Sequence, residues 1–296
     1  MDFSIGTCLF EGVPLEQRHL ALLPEYGFKY VEIDGTPERF DWRDPKRVAQ
    51  LARWLEEFGL KPRSLHLPFH IDTDKSSFHY LSLSEPYEPW LRQAFEVKAQ
   101  MARVAADLGC ELLVEHGQGD EEVEVNGDGS IAPAKIYRAW TTEQGYDTYL
   151  REFEKLWKVI EPLGLYVAVE NVMSPGTTAA MLGRFCDAVG HERVGLCIDV
   201  AHSHVPGDAV QDLHDVGERL IAAHLSDNHG QDDEHLVPFE GTIDWPTVMP
   251  LLARAPRLRS ITLEMIVPKH QAGEAAYRAK LEGTAAAVER LRTLID

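Results

Sequence analysis

Eight short apolar runs alternate with amphipathic stretches along this chain, and that alternation restricts the fold more than any other feature. The runs fall at residues 3–8, 30–33, 62–67, 112–115, 166–170, 194–198, 221–225 and 261–265. Several are continuous rather than alternating, such as Val167-Ala168-Val169 and Val194-Gly195-Leu196-Cys197-Ile198. Continuous runs suit parallel strands covered on both faces. The stretches between them, 15–26, 45–58, 90–108, 142–163, 178–189, 208–219, 245–255 and 274–294, carry helical spacing. Five of them stop before Gly27, Gly59, Gly109, Gly164 and Gly190, each offering a left-handed helix end. Alternating βα units joined by right-handed crossovers leave an open doubly wound sheet or a closed barrel. Eight units in one undivided chain favour the closed α/β architecture, a single-domain (β/α)8 TIM barrel. An open sheet would place a Gly-rich phosphate loop after its first strand, and Gly6-Thr7-Cys8-Leu9-Phe10-Glu11-Gly12 provides none.

The 296 residues lie somewhat above the ~250 of a complete barrel. The surplus fits a long loop insertion at about 117–140, which holds Asp120-Glu121-Glu122 and the turn signal Asn126-Gly127-Asp128-Gly129. No stretch marks a domain boundary, so residues 1–296 read as one domain. Cys8, Cys110, Cys186 and Cys197 are scattered, which argues for buried thiols rather than a disulfide framework or a thiolate zinc site. Met1-Asp2-Phe3-Ser4-Ile5-Gly6 lacks the pattern of a signal peptide, and no apolar run approaches the ~20 residues that span a bilayer. The expectation is a cytoplasmic protein. Its net charge of −19 repels nucleic acid and anionic membrane surfaces.

The chemistry shows in where the ionisable residues fall. Strands three to eight end in His66, Glu115-His116, Glu170, Asp199, His224 and Glu264. In a barrel the carboxyl ends of all strands converge on one small area, where catalytic residues belong. One such residue would mean little, since a strand-end carboxylate is usually solvated or caps a helix, and a lone buried His is usually a hydrogen-bonded core residue. Crowded carboxylates repel, however, and interleaved histidines with a cation relieve that repulsion. Glu170, Asp199, His224 and Glu264 make a mixed oxygen and nitrogen ligand set suited to manganese, magnesium, cobalt or zinc. The polar run Asp227-Asn228-His229-Gly230-Gln231-Asp232-Asp233-Glu234-His235 follows strand seven at the same mouth.

The stretches Ser64-Leu65-His66-Leu67-Pro68-Phe69, Cys197-Ile198-Asp199-Val200-Ala201-His202, His224-Leu225-Ser226-Asp227-Asn228 and Phe239-Glu240-Gly241-Thr242-Ile243-Asp244-Trp245 follow one another in an informative order. Together with Asp233-Glu234-His235-Leu236 and Thr262-Leu263-Glu264, they resemble the xylose isomerase-like barrel superfamily. That superfamily holds sugar and sugar phosphate isomerases and epimerases and the zinc-type apurinic endonucleases (AP endonuclease family 2). The resemblance implies a single metal on Glu170, Asp199, His224 and Glu264, with His202 touching substrate. It also implies a nuclease-like pattern, in which His66, His116, His202, Asp233 and His235 fall where further zinc ligands belong. Those histidines are expected either to orient substrate or to hold additional ions.

The leading expectation is a metal-dependent isomerase or epimerase of a sugar, keto-sugar or sugar phosphate. The cation would stabilise the enediolate left when a C–H proton departs. Glu170 and Glu264 are the candidate catalytic acid/base pair; the plain alternative makes them purely structural ligands, with chemistry by metal-bound water. A zinc-cluster phosphodiesterase of the apurinic endonuclease type fits the ligand list but not the acidic loops. A keto-sugar lyase or dehydratase would share the first step. A non-enzymatic metal- or sugar-binding module leaves two acid/base-capable carboxylates in one pocket unexplained. The expected partner is a small carbohydrate, with no nucleic acid and no membrane. Barrels of this kind often form homo-oligomers, but no exposed stripe identifies an interface.

Overall fold

The computed structural model describes residues 1–74, 77–85, 88–117, 143–173, 177–205 and 207–295. Its strands are β1 (Phe3–Gly6), β2 (Tyr30–Asp34), β3 (Lys61–His66), β4 (His70–Asp74), β5 (Ser77–Tyr80), β6 (Leu112–His116), β7 (Tyr166–Glu170), β8 (Val194–Asp199), β9 (Leu220–Leu225) and β10 (Ser260–Leu263). β4 and β5 form a separate antiparallel hairpin, outside the eight expected strands. The other eight are parallel and close in the order β1-β2-β3-β6-β7-β8-β9-β10, β10 pairing again with β1. The closed barrel is therefore the architecture.

Around it run α1 (Gln17–Glu25), α2 (Pro45–Glu57), α3 (Glu88–Leu108), α4 (Glu143–Ile160), α5 (Ala179–Val189), α6 (Val200–His204), α7 (Ala209–Val216), α8 (Trp245–Arg254) and α9 (Glu274–Arg292). The five glycines read as helix stops all adopt positive φ. Polar caps set the starts: Asp44 accepts from Lys46 N, Thr178 from Met181 N, and Asp208 from Val210 N and Gln211 N. Among the described residues no helix is long and apolar enough to cross a membrane.

Two strand ends and one added helix differ from expectation for physical reasons. β1 stops at Gly6, and Thr7–Phe10 coil into a 3₁₀ turn whose four side chains are all buried. A buried turn is as apolar as a strand, so hydrophobicity alone extended the run. β10 ends at Leu263, and Glu264 lies just beyond the ladder, its N–H still bonded to Leu225 O at 3.0 Å. The short α6 was not anticipated; five residues are too few to show helical spacing. The expected loop at about 117–140 falls, apart from Gly117, outside the described residues.

Two apolar regions hold the barrel. Most of the core lies between strands and helices, where Leu20, Leu65, Phe153, Phe185, Leu196, Trp245 and Leu281 are all essentially inaccessible. Burying one such side chain stabilises the fold by roughly 1.5–3 kcal/mol. A smaller cluster including Val114, Ala168, Cys197 and Ala222 completes the core. Side chains alternate across a strand, so residues two beyond Val114, Ala168, Cys197 and Ala222 share their face. Those are His116, Glu170, Asp199 and His224, and ladder register sets His116 beside Glu170 and Asp199 beside His224. Strand geometry thus delivers the polar residues to one end of the barrel.

Candidate active site

Glu170, Asp199, His224 and Glu264 each offer a ligand atom, and these atoms all lie within 4.8 Å of one another. His224 is fully buried between carboxylates. Its Nδ1 lies 3.1 Å from Glu170 Oε1 and 3.3 Å from Glu264 Oε2, while its Nε2 lies 3.1 Å from Glu32 Oε1. Asp199 uses one oxygen, Oδ1, to accept from His202 N at 2.8 Å. Its other oxygen, Oδ2, is buried and has no hydrogen-bond partner. A buried carboxylate oxygen without a partner is costly. Three carboxylates and one imidazole converging on a point, with that oxygen unsatisfied, fit a divalent cation.

The outer histidines extend the pattern. His66 presents Nδ1 to Leu67 O at 2.9 Å and Nε2 to Glu170 Oε2 at 3.0 Å. His202 presents Nδ1 to Asn171 O at 2.9 Å, and His235 presents Nδ1 to Glu264 O at 2.8 Å. Their Nε2 atoms both face Asp233 Oδ2, at 3.2 Å and 3.0 Å. A carbonyl oxygen only accepts, so each Nδ1 carries the hydrogen. A neutral ring would then aim its Nε2 lone pair at a carboxylate. Either a second proton or a cation must sit between them. His116 Nε2 lies 3.3 Å from Glu170 Oε2, and His66, His116 and Glu170 form a second set of atoms within ligand reach.

With protons alone, the charges balance as follows. Burial by itself lowers the His66 imidazole, but Glu170, Glu32 and Glu264 lift it to about 9. His235 also reaches about 9, burial being outweighed by Asp233 and Glu264. Burial pushes the Asp199 carboxyl up to about 7; His202 opposes this and Glu264, Glu170 and Asp233 reinforce it. Glu264 goes the other way, to about 2, because His224 overcomes the burial penalty. His116 is lowered, chiefly by burial. Cys197, beside Glu170 and His224, is raised by burial and remains a thiol rather than a thiolate ligand.

All nine residues singled out in the sequence come to this one mouth; Glu115 does not, because it faces outward from β6 to Lys98. Three supporting residues were missed. Glu32 accepts from Ser64 Oγ at 2.6 Å and Thr262 Oγ1 at 3.3 Å besides contacting His224. A carboxylate inside Tyr30-Val31-Glu32-Ile33-Asp34, on the period-two face, was the available signal. Asn171 ties β7 to β8, receiving Asp199 N at 2.7 Å and donating to Asp199 O at 3.0 Å. Asp227 gathers Asn228 N, Phe239 N, Ile243 N and Trp245 Nε1 at 2.8–3.2 Å. That buried carboxylate fastens the loop that carries Asp233 and His235, in which His235 and Phe239 hold positive φ. The site opens into a cavity of about 420 Å³ whose walls include Thr7, Glu11, Asp34, Glu38, Arg39 and Phe69.

Comparison with known proteins agrees with the barrel fold. The family model described as xylose isomerase-like TIM barrel matches residues 20–294. An inosose isomerase from Bacillus velezensis is 21% identical, the alignment covering 96% of this chain and 97% of the relative. Two solved structures, each 16% identical, share the fold. A D-psicose 3-epimerase with D-tagatose from Clostridium cellulolyticum superposes at TM-score 0.74, with 100% of each chain covered. An IolI protein with a binding zinc atom gives TM-score 0.69, with 100% of this chain and 98% of that chain covered.

Proposed function

The chain belongs to the xylose isomerase-like TIM-barrel family, and from that premise we propose that it is a metal-dependent isomerase or epimerase of a sugar or related polyhydroxy carbonyl compound. The observation that carries the reading is the pair Glu170 and Glu264 converging on His224 Nδ1, with Glu264 also lining the cavity. Similarity to an inosose isomerase and to a D-psicose 3-epimerase supports the same class of substrate.

Glu170, Asp199, His224 and Glu264 would hold the divalent metal, which supplies Lewis acidity toward a carbonyl and its neighbouring hydroxyl. The protein's own groups then handle the proton. Glu264 reaches the cavity, its side chain 13% exposed, whereas the Glu170 side chain is wholly enclosed. Glu264 is therefore the stronger candidate to take the C–H proton, with Glu170 returning one beside His66 and His116. His66, His116 and His202 line the cavity and would hold substrate hydroxyls. Solvent deuterium should enter a ketose or inosose in a metal-dependent way. In Glu264→Gln that exchange should fall at least about a hundredfold with metal saturation verified, since general base catalysis is typically worth 10²–10⁴-fold. Unchanged exchange would remove Glu264 from the reaction.

A second reading rests on the ligand groups His66/His116/Glu170 and His202/Asp233/His235, which resemble the three-zinc pattern of the apurinic endonucleases. Metal-dependent cleavage of abasic duplex DNA, with no deuterium uptake into any sugar, would establish it instead. Uptake with loss of a leaving group would make the enzyme a lyase.

A further inference from the structure

The stretch of cavity wall that carries Asp34 and Arg39 has a feature that metal binding does not explain. Asp34 ends β2 in ladder register with His66 and lines the same cavity. Arg39 pairs with its carboxylate, and each side chain is only 15% exposed. Both line the same cavity as Glu264, His116 and His202.

This wall is built rigidly. Asp34 N donates to Thr7 Oγ1 at 2.8 Å, and Asp34 Oδ1 accepts from Thr36 N at 2.7 Å. Gly35 N donates to His66 O at 3.0 Å, and Trp42 Nε1 donates to Gly35 O at 2.8 Å. A side chain at position 35 would collide with His66 O, its Cβ only 2.6 Å away. The backbone of Arg39 and Phe40 turns back onto Thr36 O at 3.0 and 3.1 Å. Such fastening holds a donor and an acceptor in fixed positions before any ligand arrives, which lowers the cost of binding.

We infer that the Asp34–Arg39 pair is a subsite for the unreactive part of the substrate, and that it selects an uncharged vicinal diol over a phosphate ester. The inference rests on the isomerase reading above. A hydroxyl both donates and accepts, so a diol can give its hydrogens to Asp34 while accepting from Arg39. A phosphate dianion only accepts. It would meet an arginine whose charge is already matched by Asp34, along a wall that also carries Glu11 and Glu38. Among the described lining residues Arg39 is the one cationic side chain apart from histidine.

The test is calorimetry on metal-loaded protein with four probes: fructose, a fructose phosphate, myo-inositol and a myo-inositol phosphate. Binding needs no turnover, and deuterium exchange into the two fructose compounds runs in parallel. Wild-type protein should bind at least one uncharged compound about tenfold or more tightly than its ester, the size of one charge-assisted hydrogen bond. Arg39→Met should weaken the uncharged ligand about tenfold or more. Asp34→Asn keeps the Oδ1 that Thr36 N needs; it should weaken the diol and narrow the preference over the ester. An ester bound more tightly than its parent would overturn the subsite, as would no binding of either uncharged probe. Both variants keeping the wild-type ratio, with only the melting temperature changed, would reduce the pair to a loop fastener and also overturn it. Exchange into the ester alone would overturn the subsite and leave the isomerase standing. Diol preference without exchange into any sugar would do the reverse.

Discussion

Neighbouring strands β6 and β7 each bury a carboxylate, and the two are treated in opposite ways. Glu115 and His116 are consecutive on β6, so they face opposite sides, and His116 is the one in register with Glu170. Glu115 turns outward to α3, where Lys98 Nζ lies 2.6 and 2.7 Å from its oxygens and Tyr149 OH donates at 3.4 Å. Burial pushes the Glu115 carboxyl up while Lys98 pulls it back. Glu170 turns inward and meets His66, His116 and His224, with Asp199 and Glu264 at the same point. A lysine supplies a permanent charge and closes the pair. Histidines supply a charge that a proton or a cation can exchange. The outer carboxylate is closed by one fixed cation and the inner one by a cluster of imidazoles, the arrangement on which the proposed metal site rests, although the two strands are adjacent.

The largest expected effect comes from breaking the outer pair. Lys98→Met leaves Glu115 buried without its cation, which should cost about 3–5 kcal/mol of stability in a urea titration. Metal affinity of the folded fraction should stay within about twofold. Lys98→Met with Glu115→Gln should recover more than half of the loss, because the uncompensated charge is gone. If metal affinity fell in parallel with stability, the two carboxylates would not be the separate systems described here.

The inner cluster should respond with the opposite sign. Asp199→Asn keeps the Oδ1 that His202 N needs but removes one of the crowded charges. Metal-free protein should therefore be as stable as wild type or slightly more so. Affinity for zinc or manganese should fall on the order of a hundredfold, since a ligand charge is lost. Competition with a chromophoric chelator reads the affinity and thermal melting reads the stability. A clear loss of metal-free stability would instead place Asp199 with the structural carboxylates.

That contrast also marks what could be read without coordinates. The barrel was legible because eight apolar runs and five glycine stops repeat, and repetition suppresses local error. That Glu170, Asp199, His224 and Glu264 come together was legible because strand ends converge in any barrel. Glu115 and His116 were not separable, since the sequence shows that a strand ends there but not which face each residue takes. Register with β7 decides it. Asp227 was visible only as one acid in an acidic loop; its role depends on donors from Phe239, Ile243 and Trp245, which folding alone brings together. The hairpin at His70–Asp74 and Ser77–Tyr80 was missed because its polar run, Asp72-Thr73-Asp74-Lys75-Ser76-Ser77, reads as loop.

An intermediate effect should appear with pH in the metal-free protein. His66 and His235 both rise from 6.5 to about 9 on folding, so their contribution is complete below 6.5 and lost as pH climbs through about 9. Asp199, raised to about 7, keeps its full contribution below about 4 and loses it as pH rises through about 7. Melting temperature of chelator-treated protein should thus fall between pH 6.5 and 9. Saturating divalent metal should flatten that slope by replacing the protons. A flat metal-free profile would mean that the inner histidines are not protonated as the geometry requires.

The smallest effect concerns Glu32, which tests whether a buried carboxylate can belong to both classes. It sits beneath His224 with Ser64 and Thr262 donating to it, so it is as enclosed as Glu115. Its imidazole partner nevertheless offers Nδ1 to the candidate metal position, and the hydrogen on Nε2 must point at Glu32 for that to happen. A carboxylate in this place fixes the tautomer and makes the ring a better donor. Glu32→Gln still accepts from Nε2 through its amide oxygen, and the two hydroxyls can reverse direction to accept from its NH₂. Folding stability should therefore change by less than about 1 kcal/mol. Affinity for cobalt, followed by its visible absorption, should fall about tenfold, the lower end of what such partners are worth. A loss of several kcal/mol in stability with unchanged cobalt binding would move Glu32 to the side of Glu115. A tenfold loss of affinity at wild-type stability would show that enclosure does not define the difference; what the carboxylate faces does.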